Sequence, residues 1–539
     1  MPGDDRLSSL PDDLLRRVLY FAPAREAEST SALSERWRGL WSSTGAVNLD
    51  ERVPEDDDGD VLFFSRRDAF VSAARLSLYA AAAGGIPVTR FTFRAEAAGH
   101  SSTVQKFLHR ELDWRRSTDV VAELLSLPAV RRVEELLLAA GYSGHGMSSN
   151  REVMSLDLAS TRSSSPLSRR RRSACWTSPA AVSSRRQPVS RFRGWSRYVA
   201  TVHLESIMFH RGNPNKNPPP PEEALSIRLH CPSAATLVLE KCCWGEKIYD
   251  GTSGTTVVEI DAPRLQRFTY KGLLRRLSLS RQASDFARIE LHILPFVYRD
   301  GDKDACGDLV TFWQLLHNFS NAKELKLRVD LLQAIAVVRT ASRAELLCSF
   351  RNLERLELEG RLAHNETAAA VSIANLLQCC PMLRDLRINL TTPNSDMDTE
   401  ADKGRCYLEK KYRHDLDKSI QGFNNRTSIA STYYDDDDAI LQDKNLSKLP
   451  TALSRHVFQC LQSSLTSVSL QFRQETGISR VKLTNIFGVK LIKFFAENAM
   501  FLKEMLIDAG NEKMCGHINS KVQEWSSGKN FHVLPLERR

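Results

Sequence analysis

The chain has 539 residues, with 74 Lys and Arg against 65 Asp and Glu, a formal +9 at neutral pH. That length holds two to four ordinary domains or one long repeat array. No N-terminal apolar run follows a basic start, and nowhere do about 18 apolar residues run together, which argues against secretion and membrane spanning; the eleven scattered cysteines, without C-x-x-C or H-x-x-x-H spacing, argue against a zinc site and fit reduced thiols in cytoplasm or nucleus.

The first elements lie between residues 6 and 41. Pro11 suits a helical first turn, where its missing N–H costs nothing, and Asp12 and Asp13 complement the positive helix start. Leu14, Leu15, Val18 and Leu19 repeat at helical spacing until Pro23 stops the run. Leu33, Trp37, Leu40 and Trp41 form a second helical stripe at i, i+4, i+7 and i+8. So small a unit cannot bury this many large apolar side chains internally, so another protein must cover part of them. The candidate docking residues are Leu10, Pro11, Leu14, Leu15, Val18, Leu19, Leu33, Trp37, Leu40 and Trp41. Roughly half of them are expected to serve internal packing instead.

The run Asp5-Arg-Leu-Ser-Ser-Leu-Pro-Asp-Asp-Leu-Leu-Arg-Arg-Val-Leu19, followed by Thr30-Ser-Ala-Leu-Ser-Glu-Arg-Trp-Arg-Gly-Leu-Trp41, resembles the F-box of plant proteins. The resemblance implies a three-helix module over residues 1–45 that binds the Skp-type adaptor of a cullin–RING ubiquitin ligase. Tyr20 and Ala22 stand where the family has Ser and Leu, and Glu28 where it prefers an apolar residue. Facing the adaptor, Glu28 would lose water without an obvious partner.

Downstream, five mostly apolar positions recur at x, x+3, x+6, x+9 and x+11. The clearest copies are Leu316-Phe319-Ala322-Leu325-Leu327, Leu347-Phe350-Leu353-Leu356-Leu358 and Leu377-Cys380-Leu383-Leu386-Ile388. The first position ends a helical stripe, and the last two alternate like a half-buried strand. Partial copies predict strands at Phe91-Phe93, Leu136-Leu138, Val202-Leu204, Leu237-Leu239, Phe268-Tyr270, Ile289-Leu291, Val468-Leu470 and Met505-Ile507. Such a helix-then-strand unit cannot bury its apolar face alone and is expected to stack as a leucine-rich repeat. An ordinary α/β domain with similar short strands is the alternative. The fold class expected is α/β: an F-box, then an irregular leucine-rich-repeat solenoid of horseshoe form, with disordered insertions.

Cys460–Leu470 with Leu491–Ile507 is similar to the FBD-type C-terminal segment of plant F-box/leucine-rich-repeat proteins. The expected organisation is the F-box at 1–45, the solenoid start at 46–150, an Arg/Ser-rich segment at 151–200 and the solenoid again at 201–390. A polar acidic insertion at 391–448, an FBD-like segment at 449–515 and a tail at 516–539 follow.

The repeat template disappears between Leu158 and Val199. Residues 151–200 hold eleven Arg, one Asp and one Glu, so this block alone carries the whole +9. Successive strand pairs begin at Leu136 and Val202, about two repeats apart, so one repeat is missing there, which predicts splayed or loosely bridged repeats. The block reads either as a disordered insertion or as sequence out of frame through a former repeat; the orderly return at Thr201–Glu205 favours the second. Pro218–Pro221 reads as a stiff spacer, and Asp435–Asp438 as a solvated acidic run.

These observations point to the substrate-recognition subunit of an SCF-type ligase in cytoplasm or nucleus, with a Skp-type adaptor and a protein target as partners. No catalytic residue, cofactor or metal is expected. The alternatives are a nucleic-acid-binding protein acting through the arginine block and a degenerate F-box product without stable function.

Overall fold

The computed structural model describes residues 7, 9–53, 60–97, 101–108, 120–142, 198–207, 226–242, 257–279, 286–294, 305–337, 340–362, 366–392, 453, 456–474, 486–508, 521–522, 524–526 and 531–536. Most of the Arg/Ser-rich block, Pro218–Pro221 and the acidic run at Asp435–Asp438 lie outside them. The chain divides into two compact units, Met1–Ser284 and Asp285–Arg539.

The first unit opens with α1 (Asp12–Phe21) and α2 (Ala24–Ser29). Pro11 precedes α1 in an extended conformation; Pro23 ends the run and precedes α2 in the same way. A single 3-10 turn, Thr30–Ala32, follows. The third helix expected over Leu33–Trp41 is not formed. That stretch is a chain of turns with short-range bonds such as Trp37 N–H to Ser34 O and Leu40 N–H to Trp37 O, both 3.2 Å. Gly39 sits in its middle at φ +82°, a left-handed conformation that an α-helix cannot contain. The helical spacing of the apolar residues survives because tight turns have nearly the same period.

Strands then alternate with helices: β1 (Ala46–Val53), α3 (Asp60–Ala83), β2 (Arg90–Ala97), α4 (Ser101–Leu108), α5 (Val120–Leu125) and β3 (Glu135–Tyr142). From there strand follows strand: β4 (Thr201–Glu205), β5 (Ser226–His230), β6 (Thr236–Glu240), β7 (Val257–Asp261), β8 (Arg267–Gly272) and β9 (Arg276–Leu279). The main parallel sheet of this unit runs β1-β2-β3-β4-β6-β8, and β5-β7-β9 form a second, three-stranded parallel sheet. Among the described residues no helix lies between β4 and β9, so the helix-then-strand expectation is not met by them. The described connecting residues there include strands such as β7, whose alternating burial sets Val258 and Ile260 inside.

The second unit contains β10 (Arg288–Ile293), α6 (Ala305–His317), β11 (Glu324–Leu331), α7 (Thr340–Leu346), β12 (Arg355–Arg361), α8 (Glu366–Cys379) and β13 (Asp385–Thr392). It continues with α9 (Gln459–Ser463), β14 (Ser467–Gln474), α10 (Ile486–Asn498), β15 (Glu504–Asp508) and β16 (His532–Leu536). Strands β10 to β16 pair in chain order, all parallel.

Register makes the repeat visible. Ile289, Leu325, Leu356, Leu386, Val468 and Met505 occupy one rung, and Leu291, Leu327, Leu358, Ile388, Leu470 and Ile507 the next. All twelve are buried. In the first unit Phe91, Leu136, Val202, Leu237 and Phe268 form the equivalent rung. Of the three clear template copies, one residue departs: Leu347 is half-buried and its neighbour Cys348 is buried in its place.

A backbone chain links the turns before the strands. The Thr89 carbonyl accepts the N–H groups of Glu134 and Glu135, Glu134 O those of Ala200 and Thr201, and Ala200 O those of Ala235 and Thr236, at 2.7–3.0 Å. In the second unit Lys323 O, Glu354 O, Arg384 O and Thr466 O continue the pattern. The expected break between Leu136 and Val202 is corrected by this geometry. β3 and β4 are hydrogen-bonded neighbours with Leu136 opposite Val202, so the sheet closes over the missing repeat without splaying.

Candidate functional site

The N-terminal helices present two faces set by four residues of offset. Leu15 and Leu19 point inward and are buried, as are Ala24 and Ala27 of α2. Burying each leucine contributes roughly 1.5–3 kcal/mol. On the adjoining side of α1, Leu14 is 51% exposed, Val18 52% and Phe21 53%, a stripe at i, i+4 and i+7. Leu33 is 69% exposed; Pro11 is exposed and Leu10 half-buried. Trp37, Leu40 and Trp41 are buried.

The ten sequence candidates thus separate into two groups. Pro11, Leu14, Val18 and Leu33 face solvent with Leu10 half-buried beside them, whereas Leu15, Leu19, Trp37, Leu40 and Trp41 pack inside. Leu7 and Phe21, exposed beside them in sequence, were missed. Phe21 continues the period of Leu14 and Val18 and could have been found from it. The Trp41 indole N–H is buried without a hydrogen-bond partner.

Polar straps fix this surface. Arg36 Nε donates to Asp12 Oδ1 at 2.8 Å, and its guanidinium also donates to the Leu10 carbonyl. One side chain thereby ties the turn-rich segment to the start of α1. Arg16 Nε donates to Ser43 Oγ at 3.2 Å and its Nη1 pairs with Asp13 at 2.9 Å. At the other end of α1, Asn48 on β1 donates from Nδ2 to Tyr20 O at 2.9 Å and Ala22 O at 3.0 Å. These carbonyls are at the helix end, where no intrahelical donor remains. Asn48 itself is buried.

The departures noted at Tyr20 and Glu28 acquire a physical basis. Arg90 of β2 lies over the rings of Tyr20 (5.3 Å) and Phe21 (5.0 Å) and bonds Glu135 of β3 at 2.9 Å. Burial, then the Glu135 charge, raises the Tyr20 phenol above its ordinary value. Glu28 is turned toward α3, where the buried Ser77 hydroxyl donates to its Oε2 at 3.5 Å. Both residues serve the junction between the N-terminal helices and the strands that follow.

Among the described residues no group of three or more His, Cys, Asp and Glu side chains could hold a metal ion, and no helix is long and apolar enough to cross a membrane. Residues 169–172, the centre of the arginine block behind the nucleic-acid alternative, lie outside the described residues.

Residues 7–45 match the F-box domain family. An F-box/FBD/LRR-repeat protein of Arabidopsis thaliana is 45% identical over 62 residues, 12% of this chain and 14% of that relative. An F-box/LRR-repeat protein of the same organism is 43% identical over 65 residues, 12% and 14% of the two chains. An FBD-associated F-box protein from it is 34% identical over 73 residues, 13% and 16%. The chain thus spans only 14–16% of the length of these curated relatives. The N-terminal module is an F-box domain.

Proposed function

We propose that this F-box docks the chain onto a Skp-type adaptor and that the chain is the substrate-recognition subunit of an SCF-type, cullin–RING E3 ubiquitin ligase. The uncovered apolar stripe of α1 carries this reading. Leu14, Val18 and Phe21 stand in water on an element whose other face is already packed, so the stripe is free for a second protein. Leu10, Pro11, Leu14, Val18 and Leu33 would make direct contact, while Leu15, Leu19, Trp37, Leu40 and Trp41 hold the surface in shape.

The in-register strands behind it are read as a leucine-rich-repeat solenoid, ending in an FBD-like segment near 449–515, that presents a protein target. The chain then supplies no catalytic group. Its contribution is effective concentration, bringing a target beside a ubiquitin carrier held by other subunits. Cytoplasm and nucleus are where such an assembly would act.

The test is recovery of a Skp-type adaptor with the full chain. Leu14→Ala with Val18→Ala should lower recovery at least tenfold without shifting the unfolding midpoint, because interface hot spots are worth about 2 kcal/mol or more. Leu15→Ala should instead cost about 2–5 kcal/mol of stability through the cavity it leaves. Undiminished recovery with the exposed pair removed refutes the docking surface.

A further inference from the structure

The docking reading leaves unused a set of buried thiols in the second unit. Cys348 lies in the irregular segment between α7 and β12, Cys379 ends α8 with Cys380 directly after it, and Cys460 sits in α9. All four are free and buried. Three successive repeats contribute them, so nearest-neighbour stacking gathers residues up to 112 positions apart in the chain.

One backbone contact singles out a pair. The Phe350 N–H donates to the Cys379 carbonyl at 2.7 Å, which holds the segment carrying Cys348 directly against the end of α8. Cys348 is also the foremost influence that raises the Cys379 thiol, ahead of burial. Cys460 is engaged elsewhere, donating from Sγ to Leu377 O at 3.8 Å.

We propose that Cys348 and Cys379 form a reversible modification site, oxidised to an intrachain disulfide by a low-molecular-weight disulfide such as glutathione disulfide. One cysteine, as thiolate, attacks the reagent; a protein–glutathione bond forms, the reagent S–S bond breaks and one glutathione thiol leaves. The second cysteine attacks the protein sulfur of that mixed disulfide, forming the Cys348–Cys379 bond and releasing the second glutathione thiol. Two protein thiols are oxidised, one reagent disulfide is reduced, and the two protons end on the released thiols.

The site is slow by construction. Cys348, then burial, keeps the Cys379 thiol protonated, and burial pushes Cys460 up to about 11. Reaction therefore needs local opening. The segment at 347–350 is suited to that, since it lies outside helix and strand, and Leu347 N–H to Arg343 O (3.0 Å) and the Phe350 bond are its backbone ties. Once closed, the bond joins two consecutive repeats and removes conformational freedom from the unfolded chain.

The experiment incubates the native full chain with glutathione disulfide at neutral pH, alkylates the remaining thiols and maps the digest by mass spectrometry. The expected product is a peptide pair joined through Cys348 and Cys379, lighter by two hydrogens, lost on reduction, and accompanied by an upward shift of the urea midpoint. Cys348→Ser should abolish both the pair and the shift; should it fail to fold, Cys460→Ala must retain the pair and Cys379→Ala must lose it. Glutathione adducts alone, a Cys380–Cys460 pair, or a crosslink formed only in denaturant overturns the proposal.

Discussion

At the scale of single residues, Asn48 ties the end of α1 to β1. Its amide donates to two helix-end carbonyls, Tyr20 O and Ala22 O, from a buried position. Asn48→Ala removes both donors and leaves two acceptors facing a dry contact, a cost of about 1–3 kcal/mol. Asn48→Asp should be at least as damaging, because a carboxylate cannot donate and repels the same carbonyls. Urea unfolding measures both, and an Asn48→Asp chain as stable as the parent would show that the tie lies elsewhere. Asn48 could not be found in the sequence, since it stands in an ordinary apolar run and its partners lie 26 and 28 residues upstream. Arg36 was visible as part of the F-box pattern, but its strap to Asp12 and Leu10 belongs to geometry. Which of the candidate residues are exposed was half legible for the same reason. Spacing identifies an apolar helix, whereas the choice of buried face depends on which side β1 and α3 cover.

At the scale of elements, every strand expected from the apolar template is present and, within each unit, in register, because period-two alternation over a buried face is a strong signal. The strands that were missed carry weaker ones. β5, β7 and β9 are four or five residues long and occupy places where a helix was expected. Where a third F-box helix was expected the chain forms turns and passes through Gly39 at positive φ, which no periodicity reveals. Packing between elements makes a sharper test at Gly488 in α10. A Cβ there would come within 2.7–2.9 Å of the Phe472 ring on β14. Alanine would normally strengthen a helix by about 1 kcal/mol, but overpacking a filled core costs about 1–3 kcal/mol. Gly488→Ala is therefore expected to lower stability, and Phe472→Leu in the same chain to recover part of the loss. A midpoint that rises on Gly488→Ala would mean that the ring yields freely.

At the scale of the whole molecule, the arginine block separates two questions that composition had joined. The net +9 belongs to residues 151–200, and the remaining chain is formally neutral. In the second unit, charges on successive strands answer one another: Arg355 bridges Glu324 and Asp385 at 3.2 and 2.8 Å, and Lys326 bridges Glu357 and Glu359 at 2.6 and 2.8 Å. Such pairs are individually weak in water, yet they leave little unbalanced charge on that sheet for phosphate to meet. β3 pairs directly with β4, and the turn carbonyls of Thr89, Glu134 and Ala200 carry the register from strand to strand. Between Tyr142 and Tyr198 the connection is 55 residues long, and deleting 160–190 leaves 24 of them. Slightly more than halving a loop lowers its closure cost by about 0.6–0.8 kcal/mol. The deletion should therefore leave the urea midpoint unchanged or slightly raised and adaptor recovery intact, while seven of the eleven arginines disappear. Loss of folding on that deletion would make the block a structural part of the sheet. Loss of adaptor recovery from a folded chain would move the docking surface away from α1.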